Sequence, residues 1–382
     1  MRTSSGQQRK RMKRKRTMLE PGVYRREAEF ADPDDLQAFR VVRTRAGRLV
    51  IFALQTPQLT ETQSTTYGGG GGFALLRRDF AVRDGRSIVD AADHSRWTLA
   101  APLAASFYFR GDDFGAFAAC VRARGVAVFK RALSAAEVAG ALDGCWSWIE
   151  RASPWRRGDP ATWNAEGTCF SERHGVCFVA GQCEGSWAAR SAPGVRACFA
   201  AVWDGADDLI ASMEPLILWR PWRDPSDAAR TAGGWLHYDD DEACYDGRTT
   251  VQGLAALTRH GAAAGGFVVV ADGEGGDAAP VWRHVALDPG DLVCWTSPTL
   301  HGSEPGCDAA AFDDGRLLRV AAPICMVPRA AASPAALAER RRVRAAGGTT
   351  THRPHRPDLR FAEGLDPPAA PRPLSAEAAR LL

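Results

Sequence analysis

Residues 235–241 read WLHYDDD. Side chains at i and i+2 of a strand share one face, so His237 and Asp239 can offer an imidazole nitrogen and a carboxylate oxygen to one metal ion. A solvated acidic loop with one surface histidine would give the same letters, and the distinction rests on a third ligand. Two histidines and one carboxylate leave open positions on Fe(II), enough for a bidentate co-substrate and dioxygen. Of the eight histidines, His301 is the best third ligand, because it follows the apolar run DLVCWTSPTL and precedes Gly302 and Ser303 at a strand edge. His284 is the runner-up, inside VWRHVAL, where a packed histidine is the easier account. His94, His174 and His260 lack strand context, and His352 and His355 fall in the C-terminal region.

A site of this kind also needs a cation for the far carboxylate of a dicarboxylate co-substrate. A guanidinium suits the task, because its planar fork pairs with a carboxylate through two hydrogen bonds. Arg319 stands in the apolar run LLRVAAPICMV, where a charge is costly unless paired. Arg316, at the entrance of that run, reads as solvated.

The elements that must hold these residues come in two textures. GVAVFKRAL (125–133) predicts a strand and SAAEVAGALDGCWSWIE (134–150) a helix. Ser134 and Glu137 form a capping box, and Val138, Leu142, Cys145, Trp146 and Ile149 fall on one face. A second helix is expected over 193–204, opened by Pro193 and closed by Gly205. From 209 onward, short strands punctuated by Gly and Pro predict a β-sandwich or barrel. Residues 18–105 alternate β-like runs with loops, and the glycine run YGGGGGF (67–73) lacks the lysine of a phosphate loop.

Composition narrows the function classes. The 382 residues carry a formal net charge of +3, but residues 1–17 hold eight Lys/Arg and no acid. Residues 329–382 hold ten Arg and five acids, which leaves 18–328 at a net of −10. Such an acidic body repels a phosphate backbone, so nucleic-acid binding is unexpected except through the basic head. That head, read as disordered, admits a nuclear address; it has no apolar core, which excludes a secretory signal. No run approaches the roughly 20 apolar residues of a bilayer span. The ten cysteines are scattered singly, which gives no thiolate zinc motif and suits reduced thiols in an intracellular, cytoplasmic protein.

The stretch from about 125 to 328 resembles the phytanoyl-CoA dioxygenase family of Fe(II)/2-oxoglutarate oxygenases. The resemblance is carried by an ordered set: GVAVFKRALSAAEVAGALDGCWSWIE, RPW, GGWLHYDD, VQGLAAL, GGFVVV, PGDLVCWTSPTLHGSEPG and RVAAPICMVP. It implies a mainly β fold with flanking helices (α+β) around a double-stranded β-helix, the cupin-like jelly-roll. On that basis residues 106–328 form the oxygenase domain, 1–17 a head, 18–105 an unassigned region and 329–382 an Ala/Arg/Pro-rich tail. The resemblance also implies Fe(II) held by His237, Asp239 and His301, with Arg319 clamping 2-oxoglutarate and Gln252 lining the pocket. Trp219, Trp222, Trp235 and Tyr238 are expected around a small-molecule substrate. Family members often carry Ser or Thr two residues after the arginine, where this chain has Ala321.

The implied reaction is hydroxylation by O2, with 2-oxoglutarate converted to succinate and CO2. The related halogenases lack the carboxylate ligand that Asp239 supplies here. Two other classes remain open on sequence: a catalytically impaired jelly-roll protein with a structural or regulatory role, and a cupin-type metal hydrolase or isomerase. Oligomeric state is not legible.

Overall fold

Strands with apolar residues on both faces form the centre of the molecule, since only a sheet covered on both sides can bury them. Eight are labelled here in chain order: β1 (Val126–Phe129), β2 (Leu216–Trp219), β3 (Val251–Ala256), β4 (Gly265–Ala271), β5 (Val281–His284), β6 (Leu292–Thr296), β7 (His301–Pro305) and β8 (Arg319–Pro328). The computed structural model describes residues 102–163, 170–171, 174–223, 227, 229–232, 236–239, 242–271, 281–307, 316–356 and 369–382, with the backbone of seven strands between Gly22 and Leu99.

Five strands of the nine-stranded large sheet run in the order β2-β8-β3-β6-β1, antiparallel to one another, and Tyr108–Phe109 adds a parallel strand beside β1. The smaller sheet runs β5-β4-β7, and an antiparallel bridge between His301 and His237 extends it by one more segment. Following the chain, β2 lies in the large sheet, the His237 segment in the small one and β3 in the large. The next two, β4 and β5, lie in the small sheet; β6, β7 and β8 then alternate large, small, large. This alternation is a double-stranded β-helix, with helices on the outside of a β-rich core.

The helices form where their caps and apolar faces say they should. The first, Ala135–Ala152, carries the capping box of Ser134 and Glu137 and buries Val138, Cys145, Trp146 and Ile149. It lies against Glu184–Ser191 so closely that a Cβ on Gly185 would sit 2.1 Å from the Ala141 carbonyl oxygen. Pro193–Val202 follows, close to its expected bounds.

Two further regions lie on either side of these elements in the chain. The region 18–105 contains a separate seven-stranded antiparallel sheet, in the order Ala74–Leu75, Leu49–Leu54, Ala38–Arg43, Gly22–Glu27, Arg96–Leu99, Ser87–Asp90, Phe80–Asp84. The basic head lies outside the described residues. The segment 329–382 packs against the preceding elements through its described residues, 329–356 and 369–382. Its helix Pro334–Ala345 sends the fully buried Arg340 to the carbonyl oxygens of Ala211, Leu381, Leu382 and Pro354, so one guanidinium joins three other stretches of chain. A count of residue types could not reveal this, because an arginine-rich helix reads as solvated until its acceptors are known.

Candidate metal and carboxylate site

The backbone ladder brings the two histidines together. The His237 N–H donates to the His301 carbonyl (2.9 Å) and the His301 N–H to the His237 carbonyl (3.0 Å), and the ring centroids are 4.5 Å apart. Asp239, two positions on and therefore on the same face, is anchored by its N–H to the Ser297 carbonyl. One ligand atom each from His237, Asp239 and His301 lies within 4.8 Å of the others. His301 Nε2 is 3.4 Å from Asp239 Oδ2, and His237 Nε2 is 3.8 Å from Oδ1.

Neighbours prepare these atoms for ligation. His301 Nδ1 donates to the Thr299 carbonyl at 2.8 Å, which leaves the Nε2 lone pair turned inward. Burial between Phe267 and Trp295 pushes the His301 imidazole down to about 4, so it is neutral. Gln252 is on β3, the strand flanked by β6 and β8; its amide Nε2 donates to Asp239 Oδ2. The resemblance implies a place for Gln252 in the co-substrate pocket; its hydrogen-bond partner here is the Asp239 carboxylate.

Arg319 lies at the start of β8 with no solvent exposure. Its cross-strand neighbour is Trp219, whose ring its guanidinium covers at 4.4 Å. NH1 donates to Ser303 Oγ at 3.2 Å, while Nε and NH2 have no hydrogen-bond partner among the described residues. Burial alone lowers the guanidinium to about 9. Gly265 explains why the indole fits: its φ of +84° and a Cβ position 2.6 Å from the Trp219 ring both require glycine. His260, buried close by, also has two ring nitrogens without partners; burial and then the Arg319 charge hold it well below its ordinary value.

The other expected pocket residues divide. Trp219 and Trp222 are buried in a small cluster with Ala264, Cys307 and Leu318. Tyr238 is 58% exposed, because its position between His237 and Asp239 turns it to the opposite face. Trp235 lies outside the described residues. His284 is buried in β5 and is not part of the His237–Asp239–His301 set.

Three residues had no role in the sequence reading. Ser303 is at i+2 from His301 on β7, so strand alternation could have found it. Trp295 packs on His301 with its buried indole N–H lacking a partner. His352, from the C-terminal segment, places Nδ1 3.9 Å from Asp239 Oδ1.

No helix among the described residues is long and apolar enough to cross a membrane. No protein-family model matches the sequence. The Ava biosynthesis cluster protein O of Aspergillus versicolor is 29% identical over 235 residues, which span 52% of this chain and 72% of that protein. Among solved structures, AviO1 from Streptomyces viridochromogenes is similar with a TM-score of 0.41 and 18% identity, over 59% of this chain and 98% of that one. The epimerase SnoN, in complex with Fe3+, alpha-ketoglutarate and nogalamycin RO, is similar with a TM-score of 0.39 and 18% identity, over 56% of this chain and 84% of that one.

Proposed function

We propose that this chain is an Fe(II)- and 2-oxoglutarate-dependent oxygenase that hydroxylates a small organic substrate, releasing succinate and CO2. The observation that carries the reading is the Arg319 guanidinium, fully buried with Nε and NH2 unpartnered, on the strand that also packs against Trp219. An ion buried without a counter-charge costs on the order of several kcal/mol, and a carboxylate accepting both free N–H groups removes that cost. The partner of its third donor, Ser303, is two strand steps from His301, roughly 7 Å. A short dicarboxylate bridges such a separation, with one end at the metal and the other at Arg319. The donor set of two imidazoles and a carboxylate suits Fe(II).

When bound, Fe(II) with 2-oxoglutarate and O2 supplies the oxidising power to break a C–H bond. The chain holds and orients. His237, Asp239 and His301 would carry the metal, Thr299 fixes the His301 tautomer, and Gln252 holds the Asp239 carboxylate. Arg319 and Ser303 would grip the distal carboxylate, with Trp219 covering the Arg319 guanidinium and Phe267 and Trp295 packing on His301. The Ser303 hydroxyl does at Arg319 what a hydroxyl at position 321 would do; Ala321 itself is packed in the core. This speaks against the impaired reading. A small organic substrate fits the name of the biosynthesis-cluster relative.

The test is anaerobic addition of Fe(II) and 2-oxoglutarate. Both together are expected to give a visible charge-transfer band that neither gives alone, and admission of air is expected to release succinate. Absence of the band with metal bound would remove the 2-oxoglutarate reading and leave a cupin-type hydrolase or isomerase.

A further inference from the structure

The C-terminal segment 349–356 crosses the metal site and is fastened on both sides of it. On one side the Gly181 N–H donates to Thr349 Oγ1 at 3.1 Å, and the Met213 N–H to Thr350 Oγ1 at 2.7 Å. The Thr350 N–H returns a hydrogen bond to the Met213 carbonyl at 2.9 Å, and Thr350 has no solvent exposure. On the other side Arg356 pairs with Glu242, three residues beyond Asp239. Between these anchors Arg340 holds the Pro354 carbonyl, and the Arg353 N–H closes a turn onto Thr351 Oγ1. His352 is the residue this strap presents to the Asp239 carboxylate.

Each Asp239 carboxylate oxygen thereby has a neighbour. Gln252 takes Oδ2, and His352 Nδ1 stands 3.9 Å from Oδ1, a distance one water or a small shift can close. His352 is not one of the three residues whose ligand atoms are all mutually close. It is a neighbour of a ligand, and partners of that kind orient the ligand they touch.

We propose that the strap is a working part of the metal centre and that His352 is a positioning residue for Asp239, so that tight metal binding requires the C-terminal segment to be seated. This rests on the metal-centre reading above and not on 2-oxoglutarate. Loss of a partner that orients a ligand weakens metal binding by roughly ten- to a hundredfold, and that is the expected change in Co(II) dissociation constant for full-length His352→Ala without co-substrate. At saturation its Co(II) visible spectrum should keep the parent's shape, since no ligand is lost. His352→Gln, which retains a donor, should recover part of the affinity. Thr350→Val, which loosens the strap at Met213, should weaken binding by less, and His355→Ala should leave it unchanged.

Undiminished Co(II) affinity in His352→Ala overturns the proposal. A changed spectrum at saturation overturns it too, because His352 would then be a ligand. A parent chain that binds no Co(II), or one whose binding survives His237→Ala, overturns instead the metal-centre reading on which it stands.

Discussion

The metal-facing part of the site and the Arg319 part meet on one strand, yet their polar atoms are in opposite conditions. Around His301 and Asp239 three polar atoms have protein partners: Thr299 for His301 Nδ1, Gln252 for Asp239 Oδ2, and Ser297 for the Asp239 N–H. Around Arg319, two guanidinium nitrogens and both His260 nitrogens have none among the described residues. The first part is aimed by hydrogen bonds. The second is held by packing, on Trp219 and through one hydroxyl, with its remaining donors free for a ligand. Native structures leave few buried polar groups unsatisfied, and a group of such atoms a short distance from a ligand set is where a co-substrate would complete the structure.

The contrast can be broken at either end. Its largest expected effect is at the metal: His237→Ala, Asp239→Ala or His301→Ala should each abolish Co(II) or Fe(II) binding with circular dichroism unchanged. His284→Ala should keep binding. Metal retained by His301→Ala but lost from His284→Ala would place the centre elsewhere.

Next comes the carboxylate end. Arg319→Lys keeps a charge but loses the fork, and a charge-assisted hydrogen bond is worth roughly 1.5–3 kcal/mol. The KM for 2-oxoglutarate, measured by succinate release, should therefore rise on the order of ten- to a hundredfold, with Co(II) affinity intact. Arg316→Lys, on an exposed residue, should change neither. A larger effect at Arg316 than at Arg319 would move the clamp.

Ser303→Ala removes a single hydrogen bond to the same guanidinium and should raise that KM by about tenfold. An unchanged KM would mean that the hydroxyl only fills space.

The smallest effect concerns His260. Its folded-state value is held well below the ordinary 6.5, so the unfolded chain takes up a proton there that the folded chain refuses. Stability attributable to this group is therefore full above that ordinary value and falls as pH drops below it. His260→Gln should flatten the decline in Tm between about pH 7 and about pH 5; an equally steep decline would assign the acid sensitivity to other groups.

Much of the fold was legible because its signals are local. The capping box at Ser134 marks a helix start within four residues, and the glycine- and proline-bounded apolar runs after 209 mark β3, β4, β6, β7 and β8. The helix Glu184–Ser191 gave no comparable signal, and the seven strands between Gly22 and Leu99 lie among loops that blur their alternation. The site was legible to the extent that strand alternation reaches. His237 and Asp239 share a face by spacing, and the same rule excludes Tyr238, which stands between them and is exposed. Applied to β7, it would also have paired Ser303 with His301.

What the sequence determined by itself was therefore the set of chemical groups and the face each one takes along its own strand, because backbone geometry sets the alternation of side chains regardless of partners. The tertiary structure decided which groups meet. Only the ladder between His237 and His301 makes one centre of residues 64 positions apart in the chain. Only the β2–β8 register lays Arg319 on Trp219, and only the turn fastened to Met213 brings His352 to Asp239. Such encounters depend on hydrogen bonds and packing between distant segments. A histidine in an arginine-rich C-terminal stretch carries no local mark of them.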